Sequence, residues 1–420
     1  MSAREEPTTA HEPSQASIVA LLDRLAGAQA AAQPAVEAGF EAGPAGAGAP
    51  PGIAYLLPGL PPEGSGGSHS LVQEARGLRE LGAEARICVP ADSLATAAAL
   101  YGNQDELFAT YRGDPAFPGV SDSTLLDAVA GAEVVVATEY PSVELLARLA
   151  RERPQVVCAY YVQDYEPLFA EAGTSRSDRA LLSYRAIPEL VLFAKTRWLA
   201  NVVAELHGVP VAKVSPSLDD TLFHGRGRPQ SEGALRVAAM IRPRTPRRRP
   251  LATLEALSAI ASALPDTAEL VTFGCDERSF AELRGRAVPG VSHLGLLSRR
   301  EVSELMRGSD VFIDASAYQA FGRTGLEAMS CGAIPLLPAL GGVDEYAVHD
   351  DNALILADGS PAAIAQAVIA LAPDTERVER MRSAGLARAQ EFSVERAARS
   401  QLELFTAVVR NRRLSSTVPA

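Results

Sequence analysis

The chain has 420 residues, 47% of them hydrophobic and 5% aromatic, with 33 glycines and 29 prolines; it is too long for a single stapled mini-domain and too apolar for wholesale disorder or a collagen-like repeat. Its formal charge of -12, from 51 acidic against 39 basic side chains, disfavours a protein that works through a broad basic face on nucleic acid, while leaving local basic sites open. Two domains are the working expectation.

Residues 1–50 are dominated by Ala, Gly, Pro and Glu. A short helix is predicted around Ser17 to Ala32, and the segment reads as an appendage, partly helical or flexible. Its start, MSAREEPTTAHEPSQAS, lacks a basic stretch followed by an apolar core, and no later stretch reaches the roughly 18 consecutive apolar residues of a spanning helix. The expected location is the cytoplasm, with peripheral contact at the inner face of a membrane left open.

Composition changes at Gly52. GIAYLLPGL predicts a short buried strand, followed by the loop PPEGSGGSHS and a helix over LVQEARGLRELG. ARICVP from Ala85, EVVVATEYP from Glu133, QVVCAYYVQDYEP, LVLFAKT and AKVSPSL continue as strand-bearing segments, with the helical SVELLARLARE among them. Apolar strands alternating with periodic helices indicate a mostly parallel sheet covered on both faces. The polar break HGRGRPQSEGA, from His224 to Ala234, marks the best boundary, giving a first domain over 51–229. The rhythm restarts over 230–395, with strands at LRVAAMI, AELVTFG, VSHLG, DVFIDAS and AIPLLPA and helices at LATLEALSAIASAL, SRREVSELMRG, GLEAMSCG and PAAIAQAVIALA. Two α/β domains in tandem imply a cleft that can position two substrates outside the carboxyl ends of the strands.

Four segments could carry chemistry. In the loop Gly64 to His69, Gly66 and Gly67 permit close backbone approach beside a helix start, which suits either an anion or an ordinary tight turn. Gln163, Asp164 and Glu166 follow the apolar run VVCAYYV at a strand end; Asp164 could orient or deprotonate an acceptor hydroxyl, or cap the next helix. Tyr160, Tyr161 and Tyr165 either line a sugar-binding surface or pack inward. IRPRTPRRRP places arginines at 242, 244, 247, 248 and 249 directly after a strand, with Pro243, Pro246 and Pro250 opposing a regular helix. Such a loop can present guanidinium groups to a diphosphate, one or two of them in direct contact.

The fourth segment is DVFIDASAYQAFGRTGLEAMSCGAIPLLPALGG. Here Thr324-Gly325-Leu326 opens a helix whose first-turn amides suit phosphate oxygens, Glu327 can accept from ribose hydroxyls, and Gln319 can contact a neutral sugar. The plainer reading is an αβ corner with capped ends. His69, His207, His224, His293 and His349 show neither HExxH spacing nor a local cluster, and Cys88, Cys158, Cys275 and Cys331 lie tens of residues apart. A metal centre and a disulfide scaffold are therefore not expected, and buried free thiols are. Neither a GxSxG elbow nor a P-loop is present.

At QAFGRTGLE, Gln319 to Glu327, the sequence resembles the E-x7-E signature of the family 4 retaining glycosyltransferases, and the resemblance extends through HLGLLSRREVSELMRGSDVFIDAS before it and AMSCGAIPLLPALGGVDEYAVHDDNALI after it. It implies the GT-B fold, two Rossmann-like domains facing across a deep cleft, with a C-terminal helix in 396–420 crossing back to the first domain. It further implies a nucleotide-sugar co-substrate and a donor site that takes in Phe321, Gly322, Arg323, Thr324, Gly325, Leu326 and Glu327, Glu327 on the ribose and the turn on the diphosphate. The family's basic pair after the first donor-domain strand corresponds to Arg242 and to Arg248 or Arg249. GGSHSLVQEARGLRELG resembles the family's N-domain glycine loop. YYVQDYEPLFAEAG with RWLANVVAELHGVP resembles the acceptor domain of bacterial polysaccharide rhamnosyltransferases, which suggests a deoxysugar such as rhamnose on dTDP, with UDP or GDP also open.

The principal departure is Gln319, where the family carries a carboxylate. Sugar transfer with retention by internal return, to a hydroxyl on a saccharide, a lipid-linked glycan or a small natural product, is the expected activity, with Asp164, Arg242, Arg249 and Gln319 as catalytic candidates. The alternatives are a catalytically silent nucleotide-sugar-binding or assembly protein, which the neutral Gln319 motivates, and a nucleotide-sugar epimerase.

Overall fold

The computed structural model describes residues 49–61, 64–102, 106–112, 122–229, 233–284 and 289–415. The helix expected around Ser17 to Ala32 lies outside these residues. The described chain divides into two compact units. The first takes in the chain up to Lys195, Leu199–Val214 and the chain from Gln401 onward; the second takes in Thr196–Trp198 and Ser215–Ser400.

The first unit is built on seven parallel strands: β1 (Ile53–Leu56), β2 (Ala85–Pro90), β3 (Phe108–Tyr111), β4 (Val134–Ala137), β5 (Val157–Val162), β6 (Val191–Ala194) and β7 (Val211–Lys213), in the order β3-β2-β1-β4-β5-β6-β7. β1 lies between β2 and β4, with Ile53 opposite both Ala85 and Val134. Every residue of β1, β4 and β5 is buried, which is the pattern of central strands covered by helices on both faces. The helix Gly66–Glu80 begins inside the expected glycine loop. Its cap is Ser65, whose Oγ accepts from Ser68 N at 3.0 Å while Ser68 Oγ accepts from Ser65 N at 2.8 Å. That reciprocal pair satisfies helix-end donors that would otherwise be left open.

The three tyrosines around the end of β5 serve the core. Tyr160 and Tyr161 are fully buried and Tyr165 is 2% exposed; Tyr160 and Tyr165 both stack on Tyr184, and Tyr161 stacks on Phe193. The reading of these rings as a sugar-binding surface is therefore replaced by aromatic packing.

In the second unit six parallel strands, β8 (Leu235–Met240), β9 (Ala268–Phe273), β10 (Val291–His293), β11 (Val311–Ile313), β12 (Ile334–Pro338) and β13 (Leu354–Leu356), run in the order β10-β9-β8-β11-β12-β13. Side chains alternate across this sheet as a two-residue period requires. Val237, Ala239, Ile241, Val311, Ile313 and Leu336 face the helices Pro250–Ala263 and Pro361–Leu371, where Leu254, Leu257, Ile260 and Val368 meet them. Ala238, Phe312 and Leu337 face the opposite side, with Leu326 and Met329 of the helix Arg323–Ser330.

The division between units falls at Val214 and Ser215, upstream of the boundary read at 229 and 230. Leu218 and Phe223 explain the shift: both are buried in the second unit's core, and Leu218 N donates to Phe392 O at 2.7 Å. The last helix, Val394–Ser415, begins in the second unit and ends in the first. In the first unit Gln401 accepts from the Tyr55 hydroxyl at 2.6 Å and donates to Glu74 Oε2 at 2.8 Å, and Phe405 meets Phe193 edge-on.

The four cysteines are free and buried. Burial pushes the Cys88 thiol up to about 12 and the other three up to about 11, so all four stay protonated and unreactive near neutral pH. Among the described residues no helix is long and apolar enough to cross a membrane.

Candidate functional site

The strand order of the second sheet reverses between β8 and β11, whose Val237 and Val311 are opposite each other. In open α/β sheets ligands bind in the crevice outside the carboxyl ends of the strands at such a reversal. The segments leaving those ends are the arginine loop, Ile241 to Arg249, and the run from Asp314 to Gly322. They meet directly. Ala317 N donates to Arg247 O at 2.8 Å, the Arg247 guanidinium lies 5.2 Å from the centre of the Tyr318 ring, and Arg248 Nη1 stands 3.4 Å from Asp314 Oδ2. A small recess is lined there by Met240, Arg248, Phe312, Ile313, Asp314, Ala315 and Thr324.

The prolines shape the arginine loop. Pro246–Arg248 form a single tight helical turn, and Arg249 then adopts a left-handed conformation, φ 50 and ψ 54, before Pro250 opens the next helix. For a non-glycine residue that conformation costs about 1–2 kcal/mol. The surroundings hold it: Arg249 O accepts from the backbone N and the hydroxyl of Thr253, both at 3.0 Å, and Arg249 Nη1 donates to Gly359 O at 2.7 Å. The handedness change sends the two neighbouring guanidinium groups apart. Arg248 lines the recess, whereas Arg249 is tied to the backbone at Gly359. Arg242 is half-buried at the end of β8, where its carbonyl accepts from Thr245 N at 3.1 Å.

Gln319 is 4% exposed. Its backbone pairs with the Leu340 to Gly342 segment, Gln319 N donating to Leu340 O at 3.2 Å and Gly342 N to Gln319 O at 2.8 Å. Its side-chain Nε2 donates to Asp314 Oδ2 and, at 3.3 Å, to Ser316 Oγ. A carboxylate only accepts, so the amide must present its NH2 to Asp314. The other oxygen, Asp314 Oδ1, accepts from Ser316 N at 3.1 Å and from Ser316 Oγ. Asp314 was not singled out in the sequence, although it carries the signal used for Asp164, a carboxylate immediately after an apolar strand.

The helix Arg323–Ser330 starts from Gly322 in a left-handed conformation, φ 77, with its carbonyl accepting from the Tyr346 hydroxyl at 2.7 Å. Burial, reinforced by nearby Asp314 and Glu327, raises the Tyr346 phenol well above its ordinary range, so it stays a donor. Thr324 lines the recess. Glu327, on the second turn, accepts from Arg323 Nε at 2.8 Å, the two side chains 9% and 11% exposed. Phe321 and Leu326 lie in the core, Phe321 edge-on to Tyr346; of the expected donor-site run, these two contribute packing through their side chains. Gly325 is buried below Tyr346 and Leu337.

In the first unit the expected residues of the glycine loop and of the end of β5 are neighbours. A Cβ on Gly67 would lie 3.0 Å from Gln163 Oε1, an acceptor with no partner among the described residues. Gly66 is exposed at the helix start. Asp164 is half-buried, and its Oδ1 accepts from Tyr165 N at 2.8 Å. Glu166 is buried, accepting from Tyr160 Oη at 2.6 Å and Tyr140 N at 2.9 Å. Burial pushes its carboxyl up to about 8 against those two donors.

Two all-parallel Rossmann-like units, with a final helix that begins in the second and ends in the first, define the GT-B fold. Comparison with known proteins agrees with this class. Residues 237–388 match the family described as Glycosyl transferases group 1, and the second unit is related to that family. Among curated proteins, the chain is 34% identical over 175 residues to the O-antigen biosynthesis protein RfbC of Myxococcus xanthus, covering 41% of this chain and 13% of that one. It is 27% identical over 234 residues to a D-inositol 3-phosphate glycosyltransferase of Jonesia denitrificans, covering 51% and 53%. The chain thus spans about half or less of the length of these relatives. Among solved structures it resembles sucrose-phosphate synthase from Thermosynechococcus elongatus, with a TM-score of 0.66 at 13% identity over 87% of this chain and 100% of that one. It also resembles HepE of Anabaena in complex with UDP, with a TM-score of 0.65 at 17% identity over the same shares.

Proposed function

We propose that this chain is a glycosyltransferase that moves a sugar from a nucleotide-diphosphate donor to a hydroxyl acceptor. The observation that carries the reading is the recess at the β8 and β11 reversal, where Arg248, Asp314 and Thr324 meet beside the start of the helix Arg323–Ser330. A leaving nucleoside diphosphate develops negative charge as the sugar departs, and guanidinium groups with helix-end amides placed in advance stabilise that charge. In this reading Arg242 and Arg248 take the diphosphate with the Arg323 to Gly325 turn, and Glu327 takes the ribose. Arg249 shapes the loop. Its bond to Gly359 O makes Arg248 the better choice for the second basic position. Gln319, held by Asp314, borders the sugar.

On the acceptor side we assign Asp164, at the end of β5, to orienting or deprotonating the attacking hydroxyl, with Gly66 and Gly67 leaving room for ligand beside Gln163. The family resemblance supports retention by internal return; it needs no protein nucleophile, only close placement of the hydroxyl and a stabilised leaving group. The sequence resemblance suggests a deoxysugar such as rhamnose on dTDP, with UDP or GDP also open; a polysaccharide or lipid-linked acceptor accords with the relative described as an O-antigen biosynthesis protein, and a UDP donor with the structure solved with UDP.

The test is a screen of UDP-, GDP-, dTDP- and ADP-sugars against saccharide and lipid-linked acceptors, read by mass analysis of the products. Transfer of a sugar mass to an acceptor is the expected outcome. Failure to bind or consume any donor, alongside an active relative, would refute the reading. Donor binding without turnover would instead establish the silent binding protein that the amide at position 319 invites.

A further inference from the structure

The neutral side chain at position 319 is the one departure from the family signature, and its surroundings give it a cause. Asp314 and Gln319, 7% and 4% exposed, face each other through Asp314 Oδ2 and Gln319 Nε2, with Ser316 accepting from the same amide and donating to the same carboxylate. Asp314 Oδ2 also stands 3.4 Å from Arg248 Nη1, and both residues line the recess. A carboxylate at 319 in this geometry would set two acceptor-only groups against each other in a buried site, where one of them must take a proton or the pair must separate.

We infer that Asp314 is a positioning residue for the donor site: it holds the Arg248 guanidinium at the recess and makes an amide, rather than a carboxylate, the fitting side chain at 319. This rests on the glycosyltransferase reading and refines it. Positions 314 and 319 together carry a single negative charge, and the charge sits on 314. The amide is then a compensated replacement, with its NH2 satisfied by the carboxylate that displaced the charge, and it is no mark of a lost activity. Arg248 is the group through which Asp314 acts. A guanidinium with one anchor fewer would meet a diphosphate at a greater entropic cost than one held by Asp314 as well.

The pair can be separated by charge without removing its hydrogen bond. In Asp314→Asn the single amide oxygen can still accept from Gln319, while its NH2 then faces Ser316 N, so the charge beside Arg248 is lost together with one Ser316 contact. The experiment measures binding of UDP, GDP, dTDP and ADP, and of the corresponding monophosphates, to the 420-residue wild type, Asp314→Asn, Gln319→Glu and the double variant by calorimetry, with turnover measured against pH. For the preferred nucleotide, Asp314→Asn is expected to weaken diphosphate binding about tenfold, as loss of a charge-assisted contact does, and to change monophosphate binding less than about twofold, within the noise of an uncoupled site. Gln319→Glu alone should lose turnover at neutral pH and regain it as pH falls and the carboxylate pair takes up a proton. The double variant, with the charge moved to 319, should exceed both single variants. Equal weakening of mono- and diphosphate by Asp314→Asn, or a Gln319→Glu variant more active than wild type with an unchanged pH profile, overturns the inference. A wild type that binds none of the four diphosphates overturns the glycosyltransferase reading with it, whereas normal wild-type binding matched by Asp314→Asn overturns this inference alone.

Discussion

Arg323 and Glu327 are joined across one turn of their helix by a 2.8 Å bond, with both side chains about nine-tenths buried. The pair is oriented before any ligand arrives. Glu327 Oε1 is engaged by Arg323, which aims the carboxylate and would lower the cost of its proposed contact with the donor ribose. Replacing Glu327 by Ala removes the acceptor and leaves Arg323 as a buried charge without this partner. We expect donor affinity to fall about 10- to 100-fold, the range for a hydrogen bond to a charged group in a dry site. Calorimetry with the nucleotide sugar checks this, and unchanged affinity and turnover would remove Glu327 from the donor site.

Gly341 is fixed by its contact with Gln319. Its φ is 124, and a Cβ there would lie 1.9 Å from Gln319 O, an overlap with backbone that no rotamer change relieves. Gly341→Ala should therefore cost about 3 kcal/mol or more, from strain and lost pairing together. Gly82 also has a positive φ, 86, but nothing lies within 4 Å of its Cβ position, so Gly82→Ala should cost only about 1–2 kcal/mol. Urea unfolding of the two variants separates them, and equal losses would contradict the close approach at Gly341.

Gln401 stands between the Tyr55 hydroxyl and the Glu74 carboxylate in the core of the first unit, all three buried. Gln401→Leu would leave a phenol and a carboxylate with a lost partner each. The expected cost is about 2–4 kcal/mol, the desolvation of two polar groups. The companion change Tyr55→Phe with Gln401→Leu should be less damaging than the sum of the singles, because one of the orphaned groups is then absent. Denaturant midpoints of the four proteins close the cycle.

Glu166 gives the first unit a pH dependence of definite sign. Its folded-state carboxyl sits at about 8, above the roughly 4.3 of an exposed glutamate. Between those values the folded state binds the proton more tightly than the unfolded chain, so stability falls as pH rises through this window and levels off above it. Glu166→Gln keeps the shape without the titration, its oxygen accepting from Tyr140 N and its NH2 donating to the Tyr160 hydroxyl. Its melting temperature should vary less than that of the wild type between about pH 5 and pH 8, the span of the shifted carboxyl. Parallel pH profiles for the two proteins would show that the carboxyl does not take up a proton there.

The central strands were legible from the chain alone. GIAYLL, VVVA, VVCAYYV and LVLFA are continuous apolar runs, and LRVAAM is one apart from Arg236, because parallel strands in a covered sheet are buried on both faces; they became β1, β4, β5, β6 and β8. Of the four edge strands, β7 and β10 fall in the segments AKVSPSL and VSHLG read as strands, whereas β3 and β13 were not legible. β3, FATY, and β13, LIL, are four and three residues long and only partly buried, and nothing in so short a run distinguishes a strand from a turn until β2 or β12 lies beside it. The tyrosines of β5 show the same limit from the other side. A strand buried on both faces has no outward position, so alternation could not say which ring would face a ligand.

The sequence by itself determined that two parallel α/β units follow one another and that a basic loop and a glycine-opened helix stand at strand ends in the second, since buried runs, prolines and glycines act locally. Tertiary structure alone decided which side chains share a site. Arg248 and Arg249 are chemically identical neighbours, and only the left-handed turn at Arg249 separates them. Asp314 and Gln319 are five residues apart and carry no mutual signal in the chain. Their partnership exists because β11 ends beside β8 and β12, which turns both side chains into one buried space where a single negative charge can be satisfied.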